Sequence, residues 1–492
     1  MSSHNAFWRG ESSRLLVDGT LRHGRAGEFP TLNPATEEVL GLAANADAAD
    51  LDDAVGAARR AFDDTDWSRD TALRTGCLRQ LNEVLRAHGD DLRALTVAEA
   101  GVPVALTYGP QLDIPVADLM WFADLADGYA WSQDLGVAAP MGVRSRRTVR
   151  REPAGVIAAI TPWNFPHQIT FAKLGPALAA GNTVVLKPAP DTPWCAAALG
   201  RLIAEKTDFP PGVINIVTSA DHSIGARLTD DPRVDLVSFT GSTATGRSVM
   251  TTAARTLKKV FLELGGKSAC VVLDDADLAA ACAMAAFMVC THAGQGCALA
   301  TRLLVPRTRY DEAVEATVAA MSRIRCGDPT DRRTICGPLI SARQRDRVEG
   351  YLALAADEGG KIVCGGGRPA KHPKGFYVEP TLIAGLTNDT RVAREEIFGP
   401  VLVILPHDGD DDAVRIANDS PYGLSGAVHG TDPDRARSVA ARIRTGTLSV
   451  NGAVWYSADA PFGGYKQSGI GREMGVAGFE EYLETKLIAE PA

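Results

Sequence analysis

Apolar residues recur at intervals of three and four from Asp50 to about Ala100, as in LDDAVGAARRAF and LRQLNEVLRAHGDDLRAL. That spacing predicts helices with one buried stripe. A further helical stretch runs from Leu112 to Ala130. Beyond Pro153 the pattern changes. GVIAAIT, TVVLKP, GVINIVT and VDLVSFT are short apolar runs that read as buried strands, while TFAKLGPALAAG, WCAAALGRLIAEKT and STATGRSVMTTAAR read as helices, the first closed by Gly181. After Ser268 the alternation resumes, with ACVVL, RLLVP, VLVIL, SGAVHG and GTLSVN as strands and helices around Asp277, Asp311, Arg345 and Asp411. Apolar strands interleaved with helices predict parallel sheets covered on both faces, so the expected class is α/β with two such domains. The tail GFEEYLETKLIAEPA reads as a short helix or turn leading into a strand, and no internal repeat is found.

One segment breaks the rhythm. Arg144–Arg151 alternates basic and other residues, which suits a solvated strand face or an exposed hairpin that pairs with another subunit.

Composition adds mainly exclusions. A chain of 492 residues is too long for one core. Its net charge of -9 argues against a general nucleic-acid surface. The longest apolar run, Ala279 to Cys290, is about 12 residues against the ~20 that cross a bilayer, so no membrane partner is expected. The start, MSSHNAFWRGESSRLL, has no apolar h-region, and a cytoplasmic protein is expected. The nine cysteines form no CxxC pair and are odd in number, which disfavours both a disulfide framework and a zinc site and fits a reducing compartment. No HExxH or similar histidine cluster occurs, so no catalytic metal is expected.

The chemistry gathers between Phe261 and Ala300. Glu263 is followed by Gly265, Gly266 and Lys267, and Cys297 comes 34 positions after Glu263, between Gly296 and Ala298. An Ala-rich helix separates the two, so a fold can bring the carboxylate and the thiol into one cleft. A thiolate can attack an electrophilic carbon and form a covalent intermediate, and a carboxylate can activate the water that releases it. A cysteine in isolation is more often a small buried hydrophobe.

Two further stretches suit a bound nucleotide, and a third suits a developing oxyanion. Gly241 and Ser242 follow a strand and open a helix whose free amides can meet a phosphate, although GxxxxG is neither the GxGxxG fingerprint nor a P-loop. Lys187 ends a strand at the edge where doubly wound sheets bind ligands. In Thr161-Pro162-Trp163-Asn164-Phe165-Pro166, two prolines hold an amide in a fixed loop, which suits an oxyanion hole. Each has a plainer alternative: a helix start, a solvated cap, a polar turn.

PWNFP, LKPAPDTP, FTGSTATGR, LELGGKS, GQGC, EEIFGP and PFGGYKQSGIGRE follow one another between residues 162 and 473. With these motifs the chain closely resembles the NAD(P)-dependent aldehyde dehydrogenase superfamily over essentially its full length. The resemblance implies an aldehyde dehydrogenase-like α/β fold with two doubly wound parallel-sheet domains and a small bridging oligomerisation domain. Residues 1–130 and 152–261 would bind the cofactor, 262–470 would form the catalytic domain, and 131–151 with 471–492 would bridge subunits of a homodimer or homotetramer. It also implies roles. Cys297 would be the nucleophile; Asn164, with the backbone N–H of Cys297, would hold the oxyanion; and Glu263 would activate water. Thr161, Trp163, Lys187, Gly241, Ser242, Glu396 and Phe398 would bind the cofactor. Lys173 and Glu473 match positions assigned to proton relay.

The cofactor expected is NAD, with NADP possible. Many NAD-preferring members carry a glutamate three positions after the lysine, where this chain has Pro190 followed by Asp191. The substrate is a small-molecule aldehyde. Phe165, Ile169, Phe171, Trp455, Tyr456 and Phe462 are expected to line its pocket and to favour aliphatic, terpenoid or aromatic aldehydes. Two rivals remain at this point: a CoA-acylating relative, and a catalytically silent binding protein on the same fold.

Overall fold

Four of the predicted apolar runs lie side by side as parallel strands, joined by a fifth at Lys259–Glu263. Their order is Ile214–Ile216, Thr183–Lys187, Val156–Ile160, Leu236–Thr240 and Lys259–Glu263. The computed structural model describes residues 13–492; the segment 1–12, on which the reading of the amino terminus largely rests, lies outside the described residues. Antiparallel strands complete an eight-stranded sheet, with Thr20–Arg22 and Leu15–Val17 at one edge and Gly469–Ile470 at the other. From Val156–Ile160 the chain winds outward through two strands, then returns to place Leu236–Thr240 on the opposite flank. The strand order therefore reverses between these neighbours, and open α/β sheets bind ligands at the carboxyl ends of such a switch point.

A second, seven-stranded sheet runs 361–364, 381–384, 401–407, 300–306, 268–272, 426–429, 449–450, parallel except for its first pair. Its core is a continuous cluster of Val, Leu, Ile and Ala including Val271, Leu304, Ile404 and Val289. A separate cluster around Trp67, Phe122 and Phe171 packs the amino-terminal helices onto the first sheet.

Helix boundaries follow local chemistry. The Pro166–Ala180 helix has Pro at its first turn and ends on Gly181 at φ 98, a left-handed position that glycine adopts without strain. Ser242 caps Thr243–Ala253 by accepting from the Thr245 amide, and Asp277 caps Leu278–Cys290 in the same way.

The basic segment is not a free edge. Ser145–Pro153 is the central strand of a three-stranded sheet, paired within the chain by Ser132–Ala138 on one side and Leu483–Pro491 on the other. Its backbone groups are used, so the two flanking strands carry the open edges. Among the described residues no helix is long and apolar enough to cross a membrane, and no group of three His, Cys, Asp or Glu side chains is placed to hold a metal.

Candidate active site

The Cys297 loop is built under backbone constraint. His292, Ala293 and Gly294 follow one another at φ 49, 53 and 72. Gln295, fully buried, pins this turn. Its Nε2 donates to His292 O at 3.1 Å and Pro338 O at 3.2 Å, and its Oε1 accepts from the Ile340 amide at 2.9 Å. A positive-φ run of this kind persists only where its surroundings over-determine it. The two glycines after Glu263 have a steric cause. A Cβ on Gly265 would lie 2.4 Å from the Glu396 carboxylate, and one on Gly266 would lie 2.7 Å from the Cys297 carbonyl oxygen. Only bare backbone lets the Glu263 strand pass this close to both loops.

These contacts enclose a cleft of about 510 Å³ at the switch point. Trp163, Asn164, Ile169, Gly241, Ser242, Glu263, Cys297, Glu396 and Phe398 all face it. Cys297 is half-buried, and Glu263 is hydrogen-bonded to it. Burial pushes the Cys297 thiol well above its ordinary range, reinforced by Glu263, Glu396 and Glu473; burial, then Glu473, likewise raises Glu263. Both shifts favour the protonated forms, and both have burial as their largest cause. Because a raised pKa delays the thiolate to higher pH, alkylation of Cys297 by iodoacetamide is expected to accelerate through the alkaline range when followed by mass spectrometry. Labelling that is fast and flat from pH 6 would show an ionised sulfur instead.

Asn164 is held from two sides. Its Nδ2 donates to Gln295 O at 2.8 Å, and its backbone carbonyl accepts from Gln111 Nε2 at 3.0 Å. One amide hydrogen thus fixes the side chain, and the second remains for a group in the cleft. Trp163 meets Phe398 edge-on at 5.4 Å, with Phe398 at φ 62. Glu396 Oε1 accepts from the Gly266 amide at 2.9 Å. Thr161 and Lys187 end adjacent strands, both buried, with the Thr161 amide donating to Lys187 O. Burial pushes the Lys187 ammonium down to about 8, opposed by Asp221 and Asp191. Lys173 and Glu473 form a buried ion pair at 2.7 Å.

Of the residues expected around the substrate, Ile169 lines this cleft, and the aromatic ones pack beside one another elsewhere. Trp455 stacks on Phe462 at 5.3 Å and Tyr456 lies 6.4 Å from Phe462; Phe165 meets His292 edge-on at 5.7 Å. Phe171 does not belong with them. It is 1% exposed, stacked on His167 within the core cluster, because it lies on the side of its helix turned into the protein. Arg343, Gln344 and Arg347 also line the cleft and were not foreseen. The helix around Arg345 was legible, but nothing local says that its first turns face a different domain's sheet.

The chain matches the aldehyde dehydrogenase family model over residues 22–488. It belongs to the aldehyde dehydrogenase family. It is 42% identical to a 3-succinoylsemialdehyde-pyridine dehydrogenase of a Pseudomonas species over 96% of this chain and 98% of that one. It is 42% identical to the geranial dehydrogenase of Castellaniella defragrans over 93% and 94%. A cysteine-to-alanine variant of aldehyde dehydrogenase C from Pseudomonas syringae, solved with NAD+ and octanal, superposes with TM-score 0.92 at 39% identity, covering 97% of this chain and 96% of that one.

Proposed function

We propose that this aldehyde dehydrogenase oxidises an aldehyde to its carboxylic acid with NAD+ through a covalent intermediate on Cys297. The observation that carries the reading is the meeting of Cys297, Glu263 and Asn164 in one cleft at the sheet's switch point. The cleft also suits a dinucleotide. Thr240 Oγ1 lies buried and unpartnered on its wall, the Ser242 helix opens onto it, and Trp163 and Phe398 offer flat faces. Lys187, Ser242 and Glu396 would hold the group, with Thr161 and Gly241 shaping its seat.

Cys297 Sγ adds to the carbonyl carbon as its proton passes by way of the ionised Glu263 carboxylate to solvent, which leaves Glu263 free to accept again. The free Asn164 N–H and the Cys297 backbone N–H meet the oxyanion. NAD+, when bound, would supply the hydride acceptor for oxidation of the thiohemiacetal to a thioester on Cys297. Glu263 then takes a proton from water, the water oxygen attacks the thioester carbon, and the sulfur departs. Glu473, held by Lys173, keeps a negative charge near Glu263 and raises its basicity.

Glu263 favours water over CoA as the acyl acceptor. We expect the free carboxylate as product with or without CoA, read by mass spectrometry; an acyl-CoA would move the chain to the acylating class. Failure to reduce NAD+ with any aldehyde would leave the silent binding protein. On the cofactor, Asp191 lies 3.9 Å from Arg343 and within reach of Lys187, so a carboxylate remains at the ribose end despite Pro190. NAD+ is therefore expected to exceed NADP+ in kcat/KM by about tenfold, the value of one unfavourable charge contact; a preference for NADP+ overturns this.

In this reading residues 1–130 and 152–261 form the cofactor-binding domain, 262–470 the catalytic domain that carries Cys297, and 131–151 with 471–492 the bridging segments. The outer strand Leu483–Pro491, with Leu487 60% exposed and Ile488 41% exposed, suits a homodimer or homotetramer in the cytoplasm. Light scattering in solution tests that assembly.

A further inference from the structure

The segment that pins the Cys297 loop from behind begins at a pair of thiols. The His292 amide donates to Ile335 O at 3.2 Å, while Gln295 holds Pro338 O and the Ile340 amide. Residues 335–340 thus support the whole positive-φ turn, and Cys336 stands inside them. It is the β-bridge partner of Cys326. The Cys336 amide donates to Arg325 O at 3.1 Å and the Gly327 amide to Cys336 O at 3.0 Å, which fixes a parallel register. The intervening loop is tied to itself: Arg325 meets Asp331 at 2.7 Å, and Thr334 Oγ1 donates to Asp328 O at 2.7 Å.

The two side chains leave the bridge on the same side. Cys326 Sγ lies 3.8 Å and Cys336 Sγ 4.0 Å from one acceptor, Val378 O, and the Cys336 thiol is hydrogen-bonded to Cys326. Neighbouring strands stand about 4.8 Å apart, inside the ~4.4–6.8 Å between Cα atoms that a disulfide spans. A bond between these sulfurs therefore needs no refolding. Access is one-sided, because Cys336 is buried and Cys326 is half-buried. Among the described residues no other two cysteines are paired across a β-bridge or ladder. No group of three ligating side chains is placed there to hold a metal, which leaves the pair with redox chemistry.

We propose that Cys326 and Cys336 form a hydroperoxide-sensing dithiol whose reversible disulfide slackens the Cys297 loop and slows turnover. Cys326 Sγ attacks the terminal peroxide oxygen. The S–O bond forms, the O–O bond breaks, and the Cys326 proton leaves with the other oxygen as an alcohol or water. Cys336 Sγ then attacks the Cys326 sulfur. The S–S bond forms, the S–O bond breaks, and the Cys336 proton leaves with hydroxide as water. The two sulfurs give up two electrons, and the peroxide takes them. Drawing Cys336 toward Cys326 pulls Ile335 O away from the His292 amide, and the strain reaches Cys297 by that route. Where thiols are kept reduced, a disulfide of this kind is transient and regulatory. The effect on turnover rests on the aldehyde-oxidising reading of the cleft; the disulfide does not.

The test treats the protein with hydrogen peroxide, blocks the remaining thiols with iodoacetamide and maps the tryptic fragments by mass spectrometry. Fragments 326–332 and 334–343 are expected to appear joined, two hydrogens lighter than their sum, and to separate on reduction with a phosphine. As the joined fraction grows, kcat is expected to fall by about fivefold, the worth of one lost hydrogen bond, and to return on reduction. Cys326→Ser and Cys336→Ala each remove one sulfur, so either folded variant serves. Each should turn over at the wild-type rate before treatment, yield no joined fragment and lack the reversible loss. Peroxide attack on Cys297 itself would slow wild type and variants alike, so an equal reversible loss in both overturns the proposal. No joined fragments, a link from Cys326 to Cys290 or Cys364 instead, or joined fragments with unchanged kcat also overturn it. If the untreated wild type oxidises no aldehyde, the reading of the cleft fails, and the joined fragments alone decide the dithiol.

Discussion

Cys297→Ala is expected to bind NAD+ normally and to oxidise aldehydes at least about 10⁴-fold more slowly, the scale of losing a covalent nucleophile. Among the described residues that line the cleft, Cys297 carries the one thiol, and it shares that wall with Asn164. Eight other cysteines cannot substitute. Six are buried away from the cleft, and the half-buried Cys326 and Cys364 lie against the second domain's core. Alanine removes no buried hydrogen-bond partner except Glu263, so the fold should survive. Isothermal titration of NAD+ against the variant, alongside NADH absorbance with aldehyde, separates the two effects. Turnover within tenfold of the wild type would remove the sulfur from the reaction.

Glu263→Gln should change which step is slow. Glutamine keeps the shape and the contact to Cys297 but cannot accept the proton of water. Deacylation is expected to fall by about 10²- to 10³-fold, the usual contribution of a positioned base. Hydride transfer precedes that step, so rapid mixing should show a burst of one NADH per active site followed by a slow steady state. The raised pKa fixes the sign in the wild type. The carboxyl must lose its proton to act, so deacylation rises with pH through that pKa, and the Gln variant should lose this dependence. A variant with neither burst nor rate loss would exclude Glu263.

Much of this was legible before any coordinates. The parallel strands are short apolar runs bounded by Gly, Pro or polar turns, and each was readable because it is buried on both faces. The edge strands at 20–22 and 361–364 and the inner strands at 15–17 and 381–384, the last of them parallel, were missed: three or four residues carry no usable period. Phe171 was misassigned for a related reason. A helix buried nearly all round has no polar stripe to say which face meets a cavity.

By itself the sequence determined the family, through seven ordered motifs, and with it the nucleophile, the acid and the amide expected to act together. Tertiary structure alone decided three things. It matched the Glu396 loop to Gly265 and the Cys297 loop to Gly266 at van der Waals distance. It raised the thiol and its carboxyl partner by taking both out of water. It brought the Cys326–Cys336 pair up behind the Cys297 loop, where the His292 amide meets Ile335 O. Each depends on atoms tens to hundreds of residues apart in the chain coming within a few ångströms, and on the water excluded when they do. Local spacing along a chain records neither.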